Sequence, residues 1–176
     1  MAAHFRTQRE TQVDVLIVGG GFVGNTLAAA LAGTGVSSAM VDTADLREAI
    51  NAEFDGRSFA ISLSNQRLLE GTGIWSGLVK GTAPILDIRI SDGPSLMFLH
   101  YDHRETGGDP MGFMIENHHL RRAHYERLQA ADDVRVFAPD RVARLTRDRH
   151  GVSAELQSGG KVRARLVVGA DGRNSM

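Results

Sequence analysis

The chain has 176 residues, 42% hydrophobic and 23% charged, with a formal net charge of −1 and no cysteine. That length supports one domain with a real core and is short for two. The balanced charge gives no footing for nucleic acid, and the lack of cysteine removes disulfides, thiol catalysis and cysteine-based metal sites, which fits a cytoplasmic protein.

The segment before Val13 has no apolar signal-peptide core and reads as a frayed terminus. No apolar run approaches the roughly 18 residues of a membrane-spanning helix. Residues 13–18 predict a buried strand that runs into Gly19-x-Gly21-x-x-Gly24, and residues 22–34 predict a helix with Leu27, Ala28 and Leu31 on one face. A second strand is expected over Ser38–Asp42, placing Asp42 18 residues after Gly24. Strand, glycines, small-residue helix, second strand and terminal acid agree in order and distance with the phosphate-binding turn of a βαβ dinucleotide fold. Gly19 permits the tight turn, Gly21 lets backbone approach a diphosphate, and Gly24 lets helix and strand pack closely. The amides of the first turn, which includes Phe22 and Val23, and the positive end of the helix dipole then face the anion. Asp42 stands where a carboxylate takes ribose hydroxyls.

Residues 43–58 read as polar and irregular, with a short helical turn near Leu46 to Ala52. Ser62 or Ser64 is expected to cap a helix through Gln66, Leu68 and Leu69 that stops at Gly71 and Gly73. From Ile85 the period changes. Residues 87–90 and Leu96–Leu99 flank the turn signal Ser91-Asp92-Gly93-Pro94, which predicts two strands. Residues 102–110 read as a loop and Gly112–Ile115 as a short strand. Asn117 is expected to cap a helix through Leu120, Ala123, His124 and Leu128. The last third predicts strands at Val134–Phe137, Val142–Thr146, Val152–Leu156 and Lys161–Val168. A further Gly/Asp turn follows at Ala170-Asp171-Gly172, and the chain stops there abruptly.

Four landmarks in order resemble the flavin monooxygenases of the p-hydroxybenzoate hydroxylase type, and within them the branch that hydroxylates ubiquinone precursors. They are Asp14–Gly24 with Asp42, where the family usually carries Glu; Asp55-Gly-Arg57-Ser-Phe-Ala-Ile-Ser62; Gly112-Phe-Met-Ile-Glu-Asn117-His-His-Leu120; and Val167-Val-Gly-Ala-Asp171-Gly172-Arg-Asn-Ser175. The resemblance implies an α/β fold: a Rossmann-like βαβ FAD-binding domain over 1–80 and 117–176, incomplete, with 81–116 forming part of a β-rich substrate domain. It implies FAD as cofactor and NADPH or NADH as reductant. The reaction implied is O₂-dependent hydroxylation of an aromatic ring, a polyprenyl phenol, through a C4a-hydroperoxyflavin. A later Gly-Asp segment of the family is absent, so the chain looks like an N-terminal portion, inactive on its own.

The resemblance also assigns residues. Arg57 is the expected cationic partner of a diphosphate or NADPH phosphate, since a guanidinium matches phosphate geometry and keeps its charge. Asn117 stands where relatives carry a flavin-contacting Arg, and Val142 passes adenine through its backbone. Asp171 and Gly172 form the Asp-Gly motif near the cofactor phosphates. Expected partners are the small aromatic substrate and O₂, with peripheral membrane contact, a ubiquinone-biosynthesis complex and a homo-oligomer as further expectations. An unpaired edge and apolar surface are expected to invite self-association.

No metal is expected. His118, His119 and His124 share one helix and His100 and His103 flank a loop without HExxH spacing, so they read as solvated or capping. Arg141, Arg144, Arg147 and Arg149 read as a solvated sheet face, and Trp75 as core. Two other readings stay open: an FAD-dependent reductase or dehydrogenase of the same fold, and a module too incomplete to retain FAD.

Overall fold

The computed structural model describes residues 10–49, 51 and 53–175. They fall into two compact units, one within Met1–Asn51 and His124–Met176, the other within Ala52–Ala123. Most of the terminus expected to be frayed, and two positions of the turn expected near Leu46 to Ala52, lie outside the described residues.

The first unit opens with β1 (Thr11–Val18), followed by α1 (Phe22–Leu31) and β2 (Ser38–Val41). α1 ends three residues earlier than its apolar pattern predicts, because Ala32 leaves helical geometry at ψ 130°. A single 3₁₀ turn covers Leu46–Ala49.

The second unit begins with β3 (Ser58–Ser62), a strand that the sequence does not announce, and α2 (Leu63–Gly71). Ser62 caps α2 by accepting from the Asn65 amide at 3.3 Å. β4 (Thr82–Ile85), β5 (Asp87–Ser91), β6 (Phe98–Asp102) and β7 (Gly112–Glu116) follow. β3, β7 and β4 form one antiparallel sheet with β7 central, and β5 and β6 form a separate hairpin. Pairing of Ser91 with Phe98 makes 92–97 the loop, so β6 starts later than the sequence predicts. Leu96 and Met97, expected in the strand, sit in the loop at 97% and 83% exposure. The stretch 102–110 contains a 3₁₀ turn at His103–Thr106 capped by Asp102. Trp75 is half-buried and packs edge-on against Phe113 at 5.0 Å. By contacts, 53–80 and 117–123 go with this unit.

α3 (Asn117–Gln129) carries the chain on, and Leu120, Ala123, His124 and Leu128 are all buried, as a 3.6-residue period requires. β8 (Val134–Phe137), β9 (Val142–Asp148), β10 (Gly151–Leu156) and β11 (Lys161–Gly169) complete a six-stranded sheet in the order β8-β2-β1-β11-β10-β9. β8, β2, β1 and β11 run parallel, and β9 and β10 join antiparallel.

Alternation along the strands sorts the core to two faces. Leu16, Val41, Val142, Leu156 and Val162 pack together on one side. Ile17 and Met40 meet Ala28 of α1, Leu128 of α3 and Val134 on the other. Each large side chain so buried contributes about 1.5–3 kcal/mol relative to exposure. The two faces therefore fix the strand ends that carry the glycine turn. Arg141, Arg144, Arg147 and Arg149 are exposed, as expected. Among the described residues no helix is long and apolar enough to cross a membrane.

Candidate functional site

Three parallel strands stop in register at one edge of the six-stranded sheet. Val18 of β1 pairs with Val41 of β2 and with Gly169 of β11. The residues that follow are Gly19, Asp42 and Ala170. The Gly19 amide donates to Val41 O at 2.8 Å, and the Ala170 amide donates to Val18 O at 2.7 Å. The carboxyl ends of parallel strands are where open α/β sheets bind ligands.

Gly19 has φ +109°, and a Cβ built there would lie 2.3 Å from Ala170 O and 2.6 Å from Asp171 N. Only glycine fits. The first glycine of the N-terminal motif thus rests directly on the Asp171-Gly172 turn, which comes about 150 residues later in sequence. A Cβ on Gly24 would lie 1.9 Å from Gly19 O, so that glycine lets α1 close on the loop. At Gly21 a Cβ would meet nothing within 4 Å. Gly21 is the N-cap of α1 and no side chain caps the helix there. Asn25 makes the first bond back along the helix, to Gly21 O at 2.9 Å. The amides ahead of it belong to the helix's open, electropositive end.

Asp42 stands beside this end. Its Oδ2 accepts from the Gly20 amide and its Oδ1 accepts from the Ala44 amide at 2.6 Å. The carboxylate is therefore fixed in place, on the wall of a cleft of about 320 Å³ that Val18, Gly19, Thr43, Asp140, Arg141, Val142 and Asp171 also line. Asp140 was not anticipated from the sequence. Burial works against its ionised form, but hydrogen bonds from the Ser158 hydroxyl and from backbone amides outweigh it and hold the carboxyl below its ordinary range. The Val142 side chain is buried in the core, which leaves its backbone for the cleft.

Behind the loop, Asn25 donates from Nδ2 to Gly20 O at 2.7 Å, while its buried Oδ1 has no hydrogen-bond partner among the described residues. Thr26 donates to Phe22 O at 2.7 Å, and His124 Nε2 lies 3.0 Å from the same hydroxyl. His124 also packs on the Phe22 ring at 5.3 Å. At 2% exposure it is neither solvated nor capping, contrary to the sequence expectation, because it falls on the apolar stripe of α3.

In the second unit Arg57 and Asn117 come together through Asp55. Arg57 donates from Nε to the Asp55 carboxylate at 2.9 Å, and Asn117 Nδ2 donates to the same oxygen at 2.6 Å. The Arg57 guanidinium beside it, then the Asn117 amide, hold the Asp55 carboxyl far below the usual carboxylate range against the pull of desolvation. Asn117 is not the cap expected from its position. It is the first residue of α3, 3% exposed, with its backbone amide bonded to Arg57 O.

An uncapped helix end with bare backbone on one side and a fixed carboxylate on the other fits a diphosphate joined to a ribose. The chain belongs to the FAD binding domain family, which it matches over residues 12–176. It is 53% identical over 162 residues to the ubiquinone hydroxylase UbiL of Rhodospirillum rubrum, covering 92% of this chain and 38% of that protein. It is 31% identical over 164 residues to the 3-demethoxyubiquinol 3-hydroxylase of Escherichia coli, covering 92% and 42%. Among solved structures, PqsL, a probable FAD-dependent monooxygenase from Pseudomonas aeruginosa, superposes with TM-score 0.76 at 25% identity, covering 94% of this chain and 44% of that one. The chain spans about two fifths of the length of these relatives. The resemblance to flavin monooxygenases of the ubiquinone branch, read from the four motifs, is borne out.

Proposed function

We propose that this chain is the FAD-binding portion of an NAD(P)H-dependent monooxygenase that hydroxylates the aromatic ring of a polyprenyl phenol on the way to ubiquinone. The observation that carries the proposal is the contact of Gly19 with the Ala170–Asp171 peptide beside Asp42. It joins the two motifs that are selective only in combination. The similarity to proteins named ubiquinone hydroxylases supports the substrate class.

In this reading the amides at the start of α1, from Phe22 to Gly24, hold the diphosphate, with Gly21 admitting it to backbone distance. Asp42 accepts from the ribose hydroxyls while keeping the Gly20 and Ala44 amides. Val142 offers backbone to the adenine, and Asp171 with Gly172 offers a side-chain-free approach to the phosphates. Arg57, oriented by Asp55, supplies positive charge for a phosphate or for the reductant, and Asn117 serves the flavin. Functionally, 1–80 and 117–176 form the cofactor domain and 81–116 part of the substrate sheet. FAD bound there would supply the redox chemistry of the hydroxylation, with a nicotinamide as reductant and O₂ as the oxygen source. The protein's share is to orient the ring and exclude water.

A polyprenyl substrate resides in membranes, so the proposal includes a cytoplasmic protein in peripheral contact with the bilayer, or within an assembly of biosynthetic enzymes. The exposed apolar residues of the β5–β6 hairpin, Ile90, Leu96, Met97, Phe98 and Leu99, support such contact or self-association. The test has two arms. Titration with FAD should quench flavin fluorescence; no uptake would make the chain a module that does not retain the cofactor. The second arm uses a protein of the relatives' length that carries this chain: with FAD, NADPH and a prenylated phenol it should consume O₂ and yield ring-hydroxylated product. Substrate-dependent NADPH oxidation without O₂ uptake would point to a reductase.

A further inference from the structure

Where β7 passes into α3, three side chains present a donor set that the cofactor cleft does not use. Glu116 Oε2 lies 3.5 Å from His118 Nδ1 and 3.8 Å from His119 Nε2. One ligand atom from each of the three lies within 4.8 Å of the other two. These separations are at or beyond the outer limit of a hydrogen bond. The two Glu116–histidine separations approach the edge of a coordination tetrahedron, which is about 3.3–3.4 Å when metal–ligand bonds are about 2.0–2.1 Å. His118 Nδ1 is buried and has no hydrogen-bond partner among the described residues. The two imidazoles stand side by side with centroids 4.0 Å apart.

We propose that Glu116, His118 and His119 form a binding site for a zinc-class divalent transition metal. Two imidazoles and one carboxylate make the three-ligand set that leaves a fourth tetrahedral position open. Two nitrogen donors select zinc, nickel or copper over magnesium and calcium. The open position has room: Glu116 and His119 border a cleft of about 340 Å³ that Ser58, Thr82 and Met114 also line. The helix end opposes a cation, and the Glu116 carboxylate offsets that field. The sequence pattern gave no hint because the three ligands lie within four residues, Glu-x-His-His, and it is the strand-to-helix turn that brings them to one point. The site does not depend on the flavin reading.

Calorimetric titration of the protein with zinc chloride tests the proposal. The expected result is one equivalent bound near neutral pH. Magnesium chloride should give no heat, and cobalt(II) should develop the intense visible bands of tetrahedral coordination. Loss of an outer-sphere partner alone weakens metal binding by about 10–100-fold, so Glu116→Gln and His119→Ala should each weaken it by more than about 100-fold. Both side chains are partly exposed, and circular dichroism unchanged from wild type confirms that these variants fold. His100→Ala, on the β5–β6 hairpin, should bind as wild type. Absence of zinc binding, or binding in either ligand variant within tenfold of wild type, overturns the site.

Discussion

His124 Nε2 lies 3.0 Å from Thr26 Oγ1, tying α3 to the start of the second turn of the helix that follows the glycines. The threonine hydroxyl has one proton and gives it to Phe22 O at 2.7 Å. It can therefore only accept from the imidazole, which assigns the proton to Nε2. Thr26→Val keeps the shape but removes the acceptor, leaving a buried donor facing a methyl group. The expected cost is about 1–3 kcal/mol in chemical denaturation, with Thr26→Ser close to wild type. Equal stability of Thr26→Val and wild type would show that the contact contributes nothing.

The glycines of the turn separate folding from binding. Gly24→Ala would place a Cβ 1.9 Å from Gly19 O, and Gly19→Ala a Cβ 2.3 Å from Ala170 O at a φ of +109°. Each demands a backbone shift, and a loss of more than about 2 kcal/mol is expected on melting. Gly21→Ala meets nothing within 4 Å at an ordinary φ of −71°. Losing glycine at the N-cap should lower stability by no more than about 1 kcal/mol, while FAD affinity falls at least tenfold, which is about 1.4 kcal/mol. A Gly21→Ala protein that quenches flavin fluorescence like wild type would separate this turn from the diphosphate.

Much of the fold is legible wherever the signal is local. The apolar runs of β1 and β2, the glycines between them and the alternating strands after residue 134 announce themselves within a few residues. β3 does not. Its face alternates among exposed and half-buried residues, and its reason to be extended is the pairing of Ser58 with Glu116, 58 positions later. Asp140 escapes for a similar cause: its orienting partner, Ser158, is 18 residues away and belongs to no motif. Asn117 looks like a cap because the helix starts there, yet its amide is drawn to Asp55, 62 residues upstream. His124 could have been read as core from its spacing with Leu120 and Leu128, had chemistry not suggested a solvated side chain.

Two carboxyls of the second unit, Asp55 beside Arg57 and Asp102 beside Arg104, are held far below the ordinary carboxylate range, and Asp55 is the one tied to a candidate site residue. Its folded-state pKa is depressed, first by Arg57 and then by Asn117. A depressed carboxyl contributes stability that is fully present above its unfolded pKa of about 3.9 and is lost as pH falls through the folded value. The second unit should therefore weaken progressively below about pH 4. Arg57→Leu removes the largest cause of the shift and should raise the pH at which acid unfolding begins. Proton-detected titration of the Asp55 carboxyl, with the variant's moved upward, is the direct measurement. An unmoved titration would mean that Asp55 owes its ionisation to something other than the guanidinium.

Asp42 has two duties that substitution can pull apart. Its oxygens accept from Gly20 and Ala44 while its charge faces the cleft. Asn at this position can satisfy only one of those amides and turns an NH₂ group toward the other, so donor faces donor. Asp42→Asn should thus lose about 1–3 kcal/mol of stability. It should also lose the charge-assisted hydrogen bond to a ribose hydroxyl, a further drop in FAD affinity of about tenfold to a hundredfold. Asp42→Glu keeps charge and both acceptors on a longer arm and should bind FAD within tenfold of wild type. The comparison is made by flavin titration alongside thermal melting of the apoprotein. A pattern in which Asn binds FAD as well as Asp, despite the expected loss of stability, would leave Asp42 as a brace for the glycine loop and move ribose recognition elsewhere in the cleft.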